Sequence, residues 1–250
     1  MKLNGKVAIV TGGARDIGRA TSIELARNGA KVVVNYFSSK ADADETLAQI
    51  SKIGGQAIAV HADLTKEEGA KKLVTESQKA YGQHIDILVN NAGGLVARKK
   101  LQEMDLEFWD LIMRLNVTSV FSMTKAVAPH MPVGSSIINL ASQAGRDGGG
   151  GGASAYATSK GAVMTFTRAM AKELGPQGIR VNALCPGLIG TKFHDDFTGD
   201  AIREKVAGMT PLRREGTAAE IGRFIACLAS EESSFIAGAN IDINGGLAFS

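Results

Sequence analysis

Tyr156 and Lys160 stand four residues apart in a stretch whose apolar spacing predicts a helix from Tyr156 to Leu174. On such a helix the two side chains share a face, with Cα atoms about 6 Å apart along the axis. A free phenol has a pKa of about 10, and bringing it near 7 takes about 4 kcal/mol of preferential stabilisation of the phenolate. A neighbouring ammonium and a second positive group can supply that. Ser142, just past a predicted strand, is placed to hold the oxygen that such a phenol would protonate, and Asn116 could anchor a water relaying protons to Lys160. Taken alone, Tyr-x-x-x-Lys is an ordinary amphipathic pair, so the elements around it have to decide.

A second group of residues supplies the partner. In Thr11-Gly12-Gly13-Ala14-Arg15-Asp16-Ile17-Gly18, glycines fall where the apolar run Val7 to Val10 turns into a helix. There the helix N-terminus offers free N–H groups and positive potential to a pyrophosphate, which makes Gly12, Arg15, Ile17 and Gly18 candidates for holding a dinucleotide. An acid at the end of the next strand would bond a ribose 2′-hydroxyl and favour NAD. The strand ends instead in Asn35-Tyr36-Phe37, followed by Ser38, Ser39 and Lys40. With Arg15, these could hold a 2′-phosphate by charge-assisted hydrogen bonds, so the expected cofactor is NADP(H), with NAD(H) possible. Asp63, with Leu64 beside it, follows the third strand and could accept from the adenine amine or cap the helix beginning near Lys66. With a nicotinamide cofactor in place, Tyr156 would act as general acid toward a carbonyl oxygen as hydride arrives.

The elements that must position these residues alternate along the chain. Strands are expected at Val7–Val10, Lys31–Asn35, Gln56–His61, Ile85–Val89, Ser136–Leu140, Ile179–Leu184 and Asn240–Ile243. Helices lie between them, including a long one over Phe108–Ala128 and a last one over Ala218–Ala229. Right-handed helical crossovers between seven strands imply an α/β protein with a doubly wound parallel sheet and helices on both faces. No composition break divides the chain, so residues 1–250 read as a single dinucleotide-binding and catalytic domain. Residues 187–212 read as an irregular segment too long for an ordinary connection, and therefore as a substrate lid. The glycine run 148–152 reads as a flexible surface turn.

Composition removes several function classes. Hydrophobic residues make up 44% and charged residues 21%, with a net charge of +3 spread along the chain, which argues against nucleic acid as a partner. Cys185 and Cys227 are too few for a disulfide framework and point to a reducing, cytoplasmic compartment. No apolar run of about 20 residues and no signal-peptide core argues for a membrane. His61, His84, His130 and His194 show no metal-ligand spacing, so no metal site is expected.

Taken in order, Thr11 to Gly18, Asn90-Asn91-Ala92-Gly93, Asn116, Ser142, Tyr156-Ala157-Thr158-Ser159-Lys160 and Pro186-Gly187 resemble the short-chain dehydrogenase/reductase family over essentially the whole chain. The length is similar to that of its compact members, which include 3-oxoacyl carrier-protein reductases and sugar or keto-acid reductases. The resemblance implies a Rossmann fold, a tetrad of Asn116, Ser142, Tyr156 and Lys160, and a homotetramer built on the helices of residues 108–128 and 156–174. It further implies that Asn90 supports the central sheet and that Ala92 and Gly93 border the cofactor. Lys160 would bond the nicotinamide ribose, and Pro186, Gly187, Ile189 and Thr191 would line the nicotinamide. Gly94, Ser142, Gln143, Tyr156 and His194 are then the candidate contacts for a small carbonyl or alcohol substrate. The alternative is a dinucleotide-binding redox sensor without turnover.

Two departures from the family pattern stand out. Asp16 occupies the place of the usual middle glycine of the loop, where a carboxylate about 6 Å from a phosphate charge would cost about 3 kcal/mol at an effective dielectric near 20. It is therefore expected to point away and to bond local N–H groups or a neighbouring side chain. The stretch 145–153, with its five consecutive glycines, is expected to reshape one wall of the substrate pocket.

Overall fold

Strand β1 (Val7–Val10) is buried on both sides, because Ala8 and Val10 belong to one apolar core and Ile9 to another. The same alternation in β2 (Lys31–Tyr36) sends Val32 and Val34 to the first core and Val33 to the second. A strand with apolar side chains on both faces needs helices on both, and a parallel sheet provides them through its crossovers. The computed structural model describes residues 2–249. It contains a seven-stranded sheet in the order Gln56–His61, β2, β1, Ile87–Asn90, Ser136–Leu140, Arg180–Pro186 and Asn240–Ile243 with every pairing parallel, the Rossmann fold anticipated from the sequence.

The remaining strands of this sheet are β3 (Gln56–His61), β4 (Ile87–Asn90), β5 (Ser136–Leu140), β6 (Arg180–Pro186) and β9 (Asn240–Ile243). Helices α1 (Asp16–Arg27) and α2 (Lys40–Lys52) cover one face, together with α10 (Ala218–Ala229), through residues such as Leu25, Ile50 and Ile225. The other face carries α3 (Glu67–Tyr81), α5 (Ser119–Val127) and α7 (Ser154–Leu174), which contribute Leu73, Met123 and Leu174. Strand order reverses between β1 and β4, and the crevice outside the carboxyl ends of the strands opens there.

Two expectations need correction. The helix foreseen over 108–128 is divided into α4 (Leu106–Met113), a π turn (Arg114–Thr118) and α5. The π turn adds a residue to the helical repeat, and Asn116 within it is fully buried, so the division serves a side chain that must point inward. The segment 187–212 is not irregular. After a short strand β7 (Ile189–Gly190), paired with β8 (Gly216–Thr217), it forms α8 (Lys192–Phe197) and α9 (Asp200–Met209). A short α6 (Ala144–Asp147) precedes the glycine run. No described helix is long and apolar enough to cross a membrane.

Buried amides stitch the layers below the crevice. Asn90 on β4 donates to Asn139 Oδ1 on β5 (2.8 Å), and Asn139 donates to Thr167 Oγ1 on α7 (2.9 Å). Replacing Asn139 removes one bond from each partner, leaving Asn90 Nδ2 with Thr124 Oγ1 (3.4 Å) and Thr167 Oγ1 with Val163 O (2.8 Å), at about 0.5–1.5 kcal/mol for each lost bond with a cavity besides. Asn139→Ala is expected to lower the unfolding free energy by about 3 kcal/mol with little change in the urea m-value, as measured by equilibrium denaturation.

Candidate active site

The crevice is a cleft of about 750 Å³ that runs from the glycine loop to the N-terminal end of α7. At one end Gly12, Arg15, Ile17 and Gly18 line it, with Tyr36 and Ser38 from the end of β2. A Cβ at Gly18 would collide with the Gly12 carbonyl oxygen, so the loop can take this shape only with glycine there. The loop is also anchored from outside. Thr11 Oγ1 accepts the N–H groups of Asn91 and Ala92 (2.9 Å each), and Asn91 Nδ2 donates to the carbonyls of Thr11 and Gly12 (3.0 Å each). A rigid concave turn of glycines at the start of a helix fits a dinucleotide pyrophosphate, and the cleft volume fits a molecule of that size.

At the other end the cleft is lined by Ala92, Gly93 and Gly94 after β4, Ser142 and Gln143 after β5, and Tyr156 and Lys160 from α7. Pro186, Gly187, Ile189, Thr191 and His194 close it from the β6 side. Five expected site residues do not line the cleft. Asn35 Oδ1 accepts from Gly12 N–H (3.1 Å) and its amide donates to Ala62 O (3.2 Å), so it supports the glycine loop from beneath. The Asp63 carboxylate accepts from Thr65 N–H and Oγ1 (3.0 and 2.6 Å), which forms a local turn, and the α3 N-cap is Lys66 without a side-chain bond. Leu64 is a core residue, and Asn90 belongs to the amide ladder.

Asn116 is the fifth. Its amide donates to Gly94 O and Ile112 O (2.9 and 3.0 Å) and its Oδ1 accepts from Gly94 N–H (2.9 Å), which pins the Gly93-Gly94 wall. Both amide hydrogens are used, and one Oδ1 lone pair remains open. A Cβ at Gly93 would lie 2.5 Å from that Oδ1 and 3.4 Å from Lys160 Nζ, so only glycine leaves room between them. Lys160 is 5% exposed, and its Nζ donates to Leu140 O at 2.6 Å.

Some lining residues carried no sequence signal. The Phe193 ring packs on the Tyr156 ring at 5.7 Å between centroids, and Phe197 on Phe193 at 5.3 Å. Both come from α8, whose six residues are too few for periodicity to reveal. Asp147 on the rim accepts from Gln143 Nε2 (2.9 Å) and Gly149 N–H (2.8 Å).

Comparison with known proteins decides the family. The family model described as enoyl-(acyl carrier protein) reductase matches residues 12–248. A 3-oxoacyl-[acyl-carrier-protein] reductase from Synechocystis sp. is 40% identical, with 98% of each chain covered. Glucose 1-dehydrogenase 2 of Bacillus subtilis is 36% identical over 98% of this chain and 95% of its own. A short-chain dehydrogenase from Burkholderia cenocepacia, solved in complex with NADP, superposes with a TM-score of 0.92 at 32% identity, covering 99% of both chains. The chain belongs to the short-chain dehydrogenase/reductase family. Its chemistry is the family's, NAD(P)-dependent hydride transfer.

For a short-chain dehydrogenase/reductase, the electrostatics of the protein alone differ from the expectation of a phenol drawn down by its lysine. Burial raises the Tyr156 pKa above its ordinary value, and the Ser142 hydroxyl pulls it the other way. The Lys160 ammonium lies over the tyrosine ring, 5.7 Å from its centroid, and is itself brought down to about 8 by burial. Between about pH 8 and 10.5 the unfolded chain therefore keeps a proton that the folded protein has lost, so this group makes stability rise with pH across that window. The rise is at most about 3 kcal/mol. Lys160→Met should lose it: the gain in unfolding free energy from pH 7.5 to 10 in cofactor-free protein is expected to shrink by about that amount relative to wild type.

Proposed function

We propose that this chain is an NADP(H)-preferring carbonyl reductase, acting in reverse as a secondary-alcohol dehydrogenase. The observation that carries this reading is the convergence of Ser142, Tyr156 and Lys160 at one end of the cleft whose other end is the glycine loop. A nicotinamide ring bound there supplies the hydride. Tyr156 gives its phenolic proton to the carbonyl oxygen. The Ser142 hydroxyl, whose oxygen already accepts from Ala144 N–H (3.1 Å), keeps its hydrogen for the same carbonyl oxygen. Lys160 restores the proton of Tyr156, and Asn116 serves the pair from behind by pinning the Gly93-Gly94 wall beside them. A phenol raised by burial is protonated at neutral pH, which suits it as the proton donor in reduction.

The preference for NADP(H) rests on Arg15, Ser38 and Ser39, all on the cleft, and on the lack of an acid at the end of β2. Lys40 does not line the cleft, and its exposed ammonium pairs with Asp44 at 2.6 Å. The NADP bound to the Burkholderia cenocepacia neighbour supports the same preference. The segment 187–212 is the substrate lid, supported by the aromatic contact of Phe193 with Tyr156. The rival substrate classes are 3-oxoacyl thioesters, in line with the name of the Synechocystis relative, and sugar-derived keto acids. Exposed Leu106, Leu111 and Phe121 on α4 and α5 fit a homotetramer, and two free cysteines fit the cytoplasm.

The test is oxidation of NADPH and NADH with a panel of 3-oxoacyl thioesters, keto-uronates and diketones. Tyr156→Phe is expected to lower kcat by about 10³-fold while NADPH affinity stays within about threefold. Arg15→Ala should raise the KM for NADPH by about tenfold and leave that for NADH unchanged. Tight NADPH binding without turnover on any member would favour the redox-sensor alternative.

A further inference from the structure

Asp16 has φ of +50°, a left-handed backbone conformation that Asp tolerates and most residues avoid. Its side chain neither bonds local N–H groups nor forms a tight pair, the Arg15 guanidinium lying 3.8 Å away. Instead Oδ1 accepts the backbone N–H of Lys192 at 3.1 Å, 176 residues along the chain. Lys192 is the first residue of α8, and its N–H is one of those a helix start leaves without an intrahelical partner. The local N-cap, Thr191, makes no side-chain bond to the helix, and its hydroxyl donates to Ile189 O (3.1 Å).

The opposite end of the same helix is held by a cation. Arg98, in the loop after β4, donates from Nε to the carbonyl of Phe197, the last residue of α8 (3.1 Å), and from Nη1 to Gly151 O (3.0 Å). Lys99 N–H donates to Gly152 O (3.0 Å). A Cβ at Gly152 would lie 3.0 Å from Arg98 Cβ, so the glycine run packs against this arginine as a fitted support and not as a loose turn. An acid at the start of a helix and a base at its end also match the partial charges of its terminal N–H and C=O groups.

We propose that Asp16 and Arg98 are positioning residues that clasp the lid helix α8 at its two ends and so set the wall over Tyr156. Between the clasps lie Phe193, whose ring packs on Tyr156, and His194, edge-on to Phe193 at 5.1 Å. The proposal rests on the reading of 187–212 as a lid. It also explains why a carboxylate stands in a loop shaped for phosphate: it faces the lid, and through it the glycine loop and the substrate wall are mechanically joined.

The experiment compares wild type with Asp16→Gly, Asp16→Asn and Arg98→Ala by amide hydrogen exchange over residues 192–197, NADPH fluorescence titration, and steady-state kinetics on the best substrate of the panel. Asp16→Gly should speed exchange in α8 by about tenfold. It should lower kcat/KM about tenfold, mainly through the carbonyl substrate's KM, while NADPH binds as before or up to about tenfold tighter. Asp16→Asn, whose amide oxygen still accepts from Lys192, should return exchange and kcat/KM to within about threefold of wild type. Arg98→Ala should reproduce the loss in exchange and kcat/KM with NADPH affinity unchanged. Unaltered α8 exchange in Asp16→Gly or Arg98→Ala, or Asp16→Asn failing as badly as Asp16→Gly, overturns the clasp. Exchange needs no turnover, so it decides the clasp even if every carbonyl fails. If Tyr156→Phe abolishes turnover while α8 exchange is unchanged in all variants, the reductase reading stands and the clasp alone falls.

Discussion

The buried ammonium of Lys160 is the constraint around which the rest of the molecule is arranged. A charge 5% exposed is tolerable only with a strong acceptor, and the 2.6 Å bond to Leu140 O provides one at the end of β5. The preceding strand residue, Asn139, bonds Thr167, two helical turns beyond Lys160 on the same face of α7. Two adjacent residues of one strand thereby fix the register of the helix against the sheet. Once that register is set, Tyr156 must emerge at the mouth of the cleft, and the chain passing beside Lys160 must be as small as Gly93.

The two halves of the cleft are built with different stiffness. The glycine loop is held by side-chain bonds from Thr11, Asn35 and Asn91, residues buried or half-buried in the sheet's upper edge. These bonds are shielded from water and are made by elements that unfold only with the core. The contacts that hold α8 beside Tyr156 lie near solvent instead: Asp16 with Lys192 and Arg98 with Phe197. Exposed bonds of this kind open at lower cost than buried ones.

The division of Asn116 from the catalytic surface follows from the same economy of space. A straight helix over 108–128 would carry the side chain past Gly94, whereas the π turn lets its amide reach both backbone groups of that residue. The asparagine thereby shapes the wall, holding Gly94 by both of its backbone groups.

Much of this was legible in the chain itself. The order of strands and helices, the glycine loop at the first turn, the Tyr156–Lys160 spacing and the placement of Ser142 after a strand are all local or periodic, and backbone geometry converts such patterns directly into position. Tertiary structure alone decided what depends on meetings between distant segments. Asn35 and Asn90 turn away from the cleft because the direction of a side chain at a strand end turns on a single residue of register. Helix α8 is too short to declare itself by periodicity. The partner of Asp16 lies 176 residues away, where no pattern within the glycine loop could point to it.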